Sequence, residues 1–176
     1  ADVGARSQFE PAADDGATAY LDLTTLTREQ EDLLAGWLAD PDAPKVLHDS
    51  KEQLQALSTR GLPLAGVTSD TALAAYLVRP DQRSYDLEDL VVRHLGRELK
   101  AEQAGTDQGM LDFAADDDTA ERDAMVRARA VLELSEVLGE RLEETGGTEL
   151  LRDLELPLVD ILARMDALGI DTADIG

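Results

Sequence analysis

The sequence predicts an α/β domain with a helical C-terminal part. Three short apolar segments, each long enough for a strand, alternate with amphipathic helical segments over the first hundred residues, and only helical segments follow. The chain has 176 residues, which suits one domain. It is 43% hydrophobic but only 3% aromatic, so we expect a core of Leu, Val, Ala and Ile.

The first strand and helix follow a polar N-terminal segment. Residues 1–16 are rich in Gly, Ala and Asp and are predicted to be a flexible lead-in. Ala17–Leu23 is a strand candidate because its apolar residues partly alternate. Thr27 and Gln30 have the spacing of a capping box. The helix that they open is expected to stop at Pro41 and to bury one face, formed by Leu33, Leu34, Trp37 and Leu38.

A second strand and helix, and then a third strand, are predicted next. Lys45–His48 is a short apolar segment, followed by Asp49 and Ser50, either of which can cap a helix. This helix is expected to point Leu54 and Leu57 inward. A turn at residues 61–63 leads to the third strand, Leu64–Thr68.

The segment Gly66–Gly96 has the clearest pattern in the chain. Asp70 has the position of an N-cap, and the helix behind it buries Leu73, Ala74 and Leu77. Pro80-Asp81 interrupts the chain. Asp86 then opens a helix whose inner positions have spacing i, i+3, i+4, i+7: Leu87, Leu90, Val91 and His94.

Two long helices are predicted after an acidic linker. Residues 101–120 carry Gly, Gln and three consecutive Asp, and most are expected to be mobile. Glu121–Leu142 is predicted as a helix that buries Val131, Leu134 and Leu138 and ends at Gly146-Gly147. The last helix, Leu150–Leu168, contains Pro157, which marks a kink or a helix start. Its inner face is expected to comprise Leu154, Leu158, Ile161, Leu162 and Met165.

Charge limits the classes of partner. Sixteen Lys and Arg against 38 Asp and Glu give a net charge of −22, so most of the surface should repel DNA, and any DNA contact must be local or supplied by another part of a longer protein. The same acidity also promotes solubility.

The chain has no cysteine and no apolar run long enough to span a membrane, which favours a cytoplasmic protein. It begins with Ala1, as expected for an excerpt or a processed piece.

Several segments in order resemble the 3′–5′ exonuclease domain of bacterial DNA polymerase I, over most of the chain. They are KVLHDSKEQLQAL (45–57), VTSDTALAAYLVRP (67–80), SYDLEDLVVRHLG (84–96) and LELPLVDILARMDALGID (154–171). The resemblance implies a ribonuclease-H-like fold, a mixed sheet flanked by helices. It assigns residues 17–147 to the exonuclease-like domain and 148–176 to a connecting helix that leads to the polymerase thumb.

The resemblance also implies a test of catalysis. Enzymes of this family hold two divalent metals with carboxylates, which activate a water and stabilise the leaving oxygen. The motif Asp-x-Glu, expected on the first strand, is absent before Gly16. Gln53 falls on the position of the second Asp, and an amide carries no negative charge. On the late helix, Asp123 falls on the family's Tyr and Arg127 on its Asp, which places a cation in the metal site.

The prediction is therefore an inactive exonuclease-like domain that links the 5′-nuclease and polymerase regions of a DNA polymerase I in replication and repair. No cofactor is expected in this segment; Mg²⁺ and DNA are expected to act through the polymerase region. The enzyme alternative is an active metal-dependent exonuclease that uses Asp49, Glu52 and Asp123. His48 and His94 are the only histidines, and His94 is interpreted as a partly buried side chain on a helix face and not as a base. An unrelated acidic regulatory domain is the remaining alternative.

The predicted linker carries a second resemblance. Residues 108–113, QGMLDF, resemble the bacterial sliding-clamp-binding peptide Gln-x-x-Leu-x-Phe. In that interpretation, Met110, Leu111 and Phe113 enter an apolar pocket and Gln108 fixes the end of the peptide by hydrogen bonds. A sliding clamp is thus a second candidate partner. The alternative is a loop with a few apolar side chains.

Overall fold

A computed structural model describes residues 18–99 and 115–169, with side chains from Thr119 onward in the second range. Two strands and three helices occupy its first part: α1 Arg28–Ala39, β1 Lys45–Leu47, α2 Ser50–Thr59, β2 Val67–Asp70 and α3 Thr71–Val78. The rest is helical: α4 Leu87–Leu90 with the π-helical turn Val91–Leu95, α5 Ala115–Thr145, α6 Thr148–Leu150 with the π-helical turn Leu151–Glu155, and α7 Leu156–Ala167. In the described residues, no helix is both long and apolar enough to cross a membrane.

The sheet of the described residues is a parallel pair, whereas the resemblance implied a mixed sheet. Strand β1 pairs with β2 from Lys45–Val67 to Leu47–Asp70, and α2 makes the crossover. The two strands therefore end side by side. A parallel β–α–β unit brings the residues after both strands to one edge.

The strand predicted at Ala17–Leu23 is wrong for the residues that the structure describes, 18–23. The Asp22 carboxylate accepts hydrogen bonds from Thr24, at 2.8 Å from the backbone nitrogen and 2.7 Å from the hydroxyl. This local turn satisfies the backbone within the segment and competes with strand pairing. Tyr20 and Leu21 are exposed as a result.

The strand predicted at 64–68 begins three residues later, and Gly66 is the reason. Gly66 has φ +72°, and a Cβ there would lie 2.5 Å from the Ala43 carbonyl oxygen and 2.8 Å from that of Asp40. The backbone turns at this crowded position, and the residues that follow it pair with β1. Only glycine fits there.

Helix α1 confirms the capping box but buries less than predicted. The Thr27 nitrogen donates to the Gln30 side chain at 2.9 Å, and the Gln30 nitrogen donates to the Thr27 hydroxyl at 3.3 Å. Leu34 and Leu38 are buried, whereas Leu33 is 60% exposed. The other predicted inner residue, Trp37, is half exposed, with the Lys45 ammonium 4.9 Å from its ring centroid.

The core lies between α3, α4 with its π-helical turn, and α5. Ala74 and Ala75 are fully buried and let α3 approach α5 closely. The predicted inner positions of the two later helices are confirmed for Leu87, Leu90, Val91, Leu134 and Leu138. Helix α5 begins at Ala115, six residues before the predicted start at Glu121, so residues 115–120 of the predicted linker are helical.

The last helical segment, formed by α6, the π-helical turn and α7, lies where the prediction placed it but buries a different face. Pro157 lies in the first turn of α7, where its missing N–H is tolerated. The π-helical turn before it is wider than an α-helical turn and shifts the phase of the apolar pattern. Leu151 and Ala163 are consequently the buried residues. Three side chains predicted to point inward are exposed: Leu154, Leu158 and Ile161.

Candidate functional site

A buried aspartate organises the edge where β1 and β2 end. Asp70 is 2% exposed. Its Oδ1 accepts the backbone N–H groups of Ala72 and Leu73, at 2.9 and 3.3 Å, which confirms the predicted N-cap of α3. Its Oδ2 accepts the Ser50 nitrogen and hydroxyl, both at 2.7 Å. One carboxylate therefore holds the starts of two helices.

The start of α2 differs from the predicted local cap. Asp49 is the N-cap residue but has the left-handed backbone conformation, with φ 56° and ψ 55°, and its side chain makes no capping bond. Asp70, which lies 20 residues further along the chain, replaces it. Asp49 and Glu52, the alternative metal ligands, are both exposed.

Two further polar contacts, one between Gln53 and His48 and one between Arg127 and Glu88, are together called the second cluster. The His48 Nδ1 lies 2.8 Å from the Thr71 hydroxyl. The Gln53 amide nitrogen donates to the His48 carbonyl oxygen at 2.5 Å. Gln53, at the position of a metal-binding Asp in the resemblance, thus acts as a hydrogen-bond donor to the backbone.

Arg127 completes this cluster from α5. Its Nη1 lies 2.5 Å from the Glu88 carboxylate, joining α5 to α4. The hydrogen bond from Arg127 is the main cause that lowers the pKa of Glu88, and the charge of His48 acts in the same direction. Helix α5 also contacts β1, the strand that His48 follows. Asp123 lies one turn earlier on α5 and is half-buried.

The cluster does not fit a pair of divalent metals. Mg²⁺ needs several carboxylate, carbonyl or water oxygens in a near-octahedral arrangement. Here the amide N–H of Gln53 is directed at a carbonyl, and the guanidinium of Arg127 already neutralises the one carboxylate in contact. Across residues 18–99 and 119–169, no three His, Asp or Glu side chains are grouped to hold a metal.

Residues 101–114, most of the linker predicted to be mobile, lie outside the described residues, and so do two further predicted features. These are the lead-in at 1–16 and the clamp-binding peptide, with Gln108, Met110, Leu111 and Phe113. Sequence reasoning in turn missed Ser50 as the partner of Asp70 and Glu88 as the partner of Arg127. Ser50 follows a strand and carries a hydroxyl, which is a weak signal, whereas nothing in the sequence indicates the contact of Glu88 over 39 residues.

The fold and cluster define an α/β domain with its polar cluster at the carboxyl ends of parallel strands, the class to which ribonuclease-H-like domains belong. The family described as "DNA polymerase I, ribonuclease H-like domain" matches residues 12–134. The chain belongs to this family, which confirms the resemblance.

The relatives that this chain matches in sequence agree with this assignment. DNA polymerase I of Mycobacterium bovis is 51% identical over 162 residues, which cover 90% of this chain and 18% of that protein. DNA polymerase I of Geobacillus stearothermophilus is 33% identical over 134 residues, 76% of this chain and 15% of that one. The chain thus spans less than a fifth of the length of these relatives.

A solved structure has the same fold. It is described as the "POL domain of Pol1 from M. smegmatis complex with DNA primer-template and dNTP". The TM-score is 0.71 at 46% identity, over 83% of this chain and 22% of that one.

Proposed function

We propose that this chain is the exonuclease-like domain of a DNA polymerase I, that it lacks exonuclease activity, and that it serves as a structural domain. The observation that carries the proposal is the ion pair between Arg127 and Glu88. At the position where the resemblance implies a metal-binding carboxylate, a cation is held in place by the neighbouring acid. A positive charge there opposes the binding of Mg²⁺.

The structural role rests on the exposed face of the last helix. Five large aliphatic side chains lie exposed along it: Leu150, Leu154, Leu158, Ile161 and Leu168. Their exposed fractions range from 42% to 77%, and a row of this kind is typical of a surface that a partner covers. We infer that the polymerase region of the parent protein covers this row, in line with the predicted connection to the thumb.

The opposite face of this helix is fixed to the domain. The Lys51 ammonium lies 2.7 Å from the Asp166 carboxylate, and the Gln55 amide donates to the same group at 2.9 Å. Helix α7 is therefore held on one side and apolar on the other. This arrangement suits a bridge between the exonuclease-like domain and the polymerase region. In this proposal, the parent protein acts in the cytoplasm in DNA replication and repair, and its polymerase region binds Mg²⁺ and DNA.

The test is digestion of a 3′-labelled single strand by the parent polymerase with Mg²⁺ or Mn²⁺ and without nucleotides. We expect no shortening beyond a metal-free control. Shortening that Asp123→Ala abolishes would overturn the proposal, because the nuclease site would then be rebuilt from other carboxylates. Asp32→Ala serves as a matched control, since this exposed aspartate of α1 belongs to none of the candidate metal-binding positions.

A second proposed function rests on the peptide at residues 108–113. We propose that it docks the protein on a sliding clamp through Leu111 and Phe113. Phe113→Ala should abolish binding to a purified bacterial clamp in surface plasmon resonance, while Asp112→Ala, at a free position of the pattern, should not. Equal binding by both variants would contradict this function.

A further inference from the structure

Arginines converge at one place on a domain that is otherwise strongly acidic. The Arg141 Nη1 on α5 lies 2.7 Å from the Nδ1 of His94 on the π-helical turn. Arg93 precedes His94 in that turn, and Arg79 follows the last residue of α3. We call Arg79, Arg93 and Arg141, with His94, the arginine cluster.

His94 lies beside arginine side chains. Burial is the main cause that lowers the pKa of His94, and the charges of Arg141, Arg93 and Arg79 lower it further. The charged groups acting on His94 are thus all cationic, although the whole chain carries −22. Three elements, α3, the π-helical turn and α5, each supply one of the arginines.

The exposed arginines of the cluster keep N–H groups that can bind an external anion. Arg93 and Arg141 are exposed, and neither forms an ion pair with a carboxylate in the described ranges. Arg79 lies 3.5 Å from Asp81, but both side chains are more than half exposed, so that pair is weak. Guanidinium groups recognise phosphate oxygens through paired hydrogen bonds.

The cluster is separate from the nuclease-like site. Arg127 and Arg141 are 14 residues apart on one continuous helix, which corresponds to about 21 Å at 1.5 Å per residue. Asp70 and Arg79 likewise cap opposite ends of α3. Arg127 and Arg141 also have different partners, Glu88 and His94, so the two sites share no side chain.

An exposed aromatic side chain stands beside the cluster. Tyr76 is 45% exposed and lies one turn before Arg79, and its ring packs edge-on against Tyr85, with centroids 5.7 Å apart. The Tyr85 hydroxyl in turn donates to the Arg79 carbonyl oxygen at 3.0 Å. Cations next to an exposed, held aromatic ring are the features that bind single strands, with phosphates on arginine and a base on the ring.

We propose that Arg79, Arg93 and Arg141 form a docking site for the phosphates of a single DNA strand, with Tyr76 as a surface on which a base stacks. This rests on the proposed function, which brings the domain next to DNA. Because the surrounding surface repels phosphates, a strand that approaches the domain contacts it at this cluster. The site guides a strand and performs no chemistry.

The test is fluorescence anisotropy of a labelled single strand with the 176-residue chain, at low ionic strength and with EDTA present. The double variant Arg93→Gln/Arg141→Gln should weaken binding by about tenfold or more and reduce the salt slope by about 1.4, the value for two phosphate contacts on a single strand. Arg28→Gln/Arg60→Gln removes the same charge from other elements and should change affinity by less than about twofold. Equal losses in both variants, or no binding by the wild-type chain, would overturn the proposal.

Two further variants exclude loss of folding and identify the ligand. The variant Arg141→Lys/Arg93→Gln keeps a positive charge at position 141, beside His94. Its affinity for the strand should lie between those of the wild type and the double Gln variant, with an unchanged circular dichroism spectrum. Tyr76→Leu should weaken the binding of the single strand by about tenfold and leave the binding of a duplex unaffected. Full displacement of the strand by inorganic triphosphate at equal phosphate concentration would instead show a small-polyphosphate site and would contradict strand docking. Since EDTA prevents digestion, failure here leaves the nuclease proposal untouched.

Discussion

Two polar clusters of the domain, the junction at Asp70 and the cluster that contains Arg127, differ in what their charges do. Asp70 is buried and accepts four hydrogen bonds from the starts of α2 and α3. The second cluster holds Arg127 against Glu88 near the surface, with side-chain exposures of 42% and 53%. A carboxylate is thus present where folding depends on it. The positions at which the resemblance implies metal-binding carboxylates carry an amide and a guanidinium.

The two clusters differ in what the fold requires of them. The α2 and α3 starts need one anion in a buried place, and Asp70 supplies it. The cluster of Gln53, Glu88 and Arg127 is closed by its own hydrogen bonds and ion pair. Under the proposed function, the domain keeps its β–α–β unit while the Arg127–Glu88 pair joins α5 to α4.

The largest effect is expected at the buried junction. In the variant Asp70→Asn, the side chain keeps nearly the same shape, but its NH₂ group cannot accept a hydrogen bond. It would face donor groups, either those of Ser50 or those of Ala72 and Leu73. We expect a loss of about 3 kcal/mol in the free energy of unfolding, measured with urea. Asp49→Asn, on an exposed residue without a capping bond, should change it by less than about 0.5 kcal/mol. Equal effects would mean that Asp70 is not the anchor of both helices.

The exposed row on the last helix should give the next largest effect, and only in the parent polymerase. Leu158→Asp should leave the unfolding of the 176-residue chain within about 0.5 kcal/mol of the wild type, because this side chain is already 42% exposed. In the parent protein the buried charge should cost about 2 kcal/mol or more. Leu132→Asp, on an exposed position of α5, is the control in both proteins. A small effect in the parent would mean that nothing covers this row.

A smaller effect is expected at the Arg127–Glu88 pair. Because both side chains are about half exposed, a double-mutant cycle with Arg127→Gln and Glu88→Gln should give a coupling of about 0.5 kcal/mol. The pKa of Glu88 is lowered in the folded chain, so this stability is present above its ordinary value of 4.5 and is lost as pH falls through the folded pKa. A coupling that persists at acid pH would contradict this account.

The smallest effect is the pH dependence that His94 contributes. The folded pKa of His94 lies below its ordinary value of 6.5, so the unfolded chain takes up the proton first. Its contribution to stability should be complete above 6.5 and should decrease as pH falls below that value. Urea midpoints of the wild type and His94→Gln, compared across this range, isolate the effect. A difference that stays constant or reverses sign would show that His94 is not held neutral.

Local signals made much of the fold predictable. The capping box at Thr27, the N-cap at Asp70 and the α5 core at Leu134 and Leu138 follow from spacings within one element, and the structure confirms them. Strand β1 was predicted to within one residue of its observed end at Leu47.

The errors arise where another contact overrides the local pattern. An Asx turn at Asp22 replaces a strand, and the crowded turn at Gly66 delays β2. The π-helical turn Leu151–Glu155 shifts the apolar phase of the last helix. At the site, the pairings of Asp70 with Ser50 and of Arg127 with Glu88 join residues 20 and 39 positions apart, which spacing rules cannot detect.

The most direct test of the central claim is a titration of the 176-residue chain with Mn²⁺, followed by electron paramagnetic resonance at moderate salt. We predict only weak binding, of the kind expected for a chain of net charge −22, that salt reduces and that Asp123→Ala leaves unchanged. One tight, stoichiometric site that Asp123→Ala removes would contradict the claim, because the cluster next to Arg127 would then hold a metal.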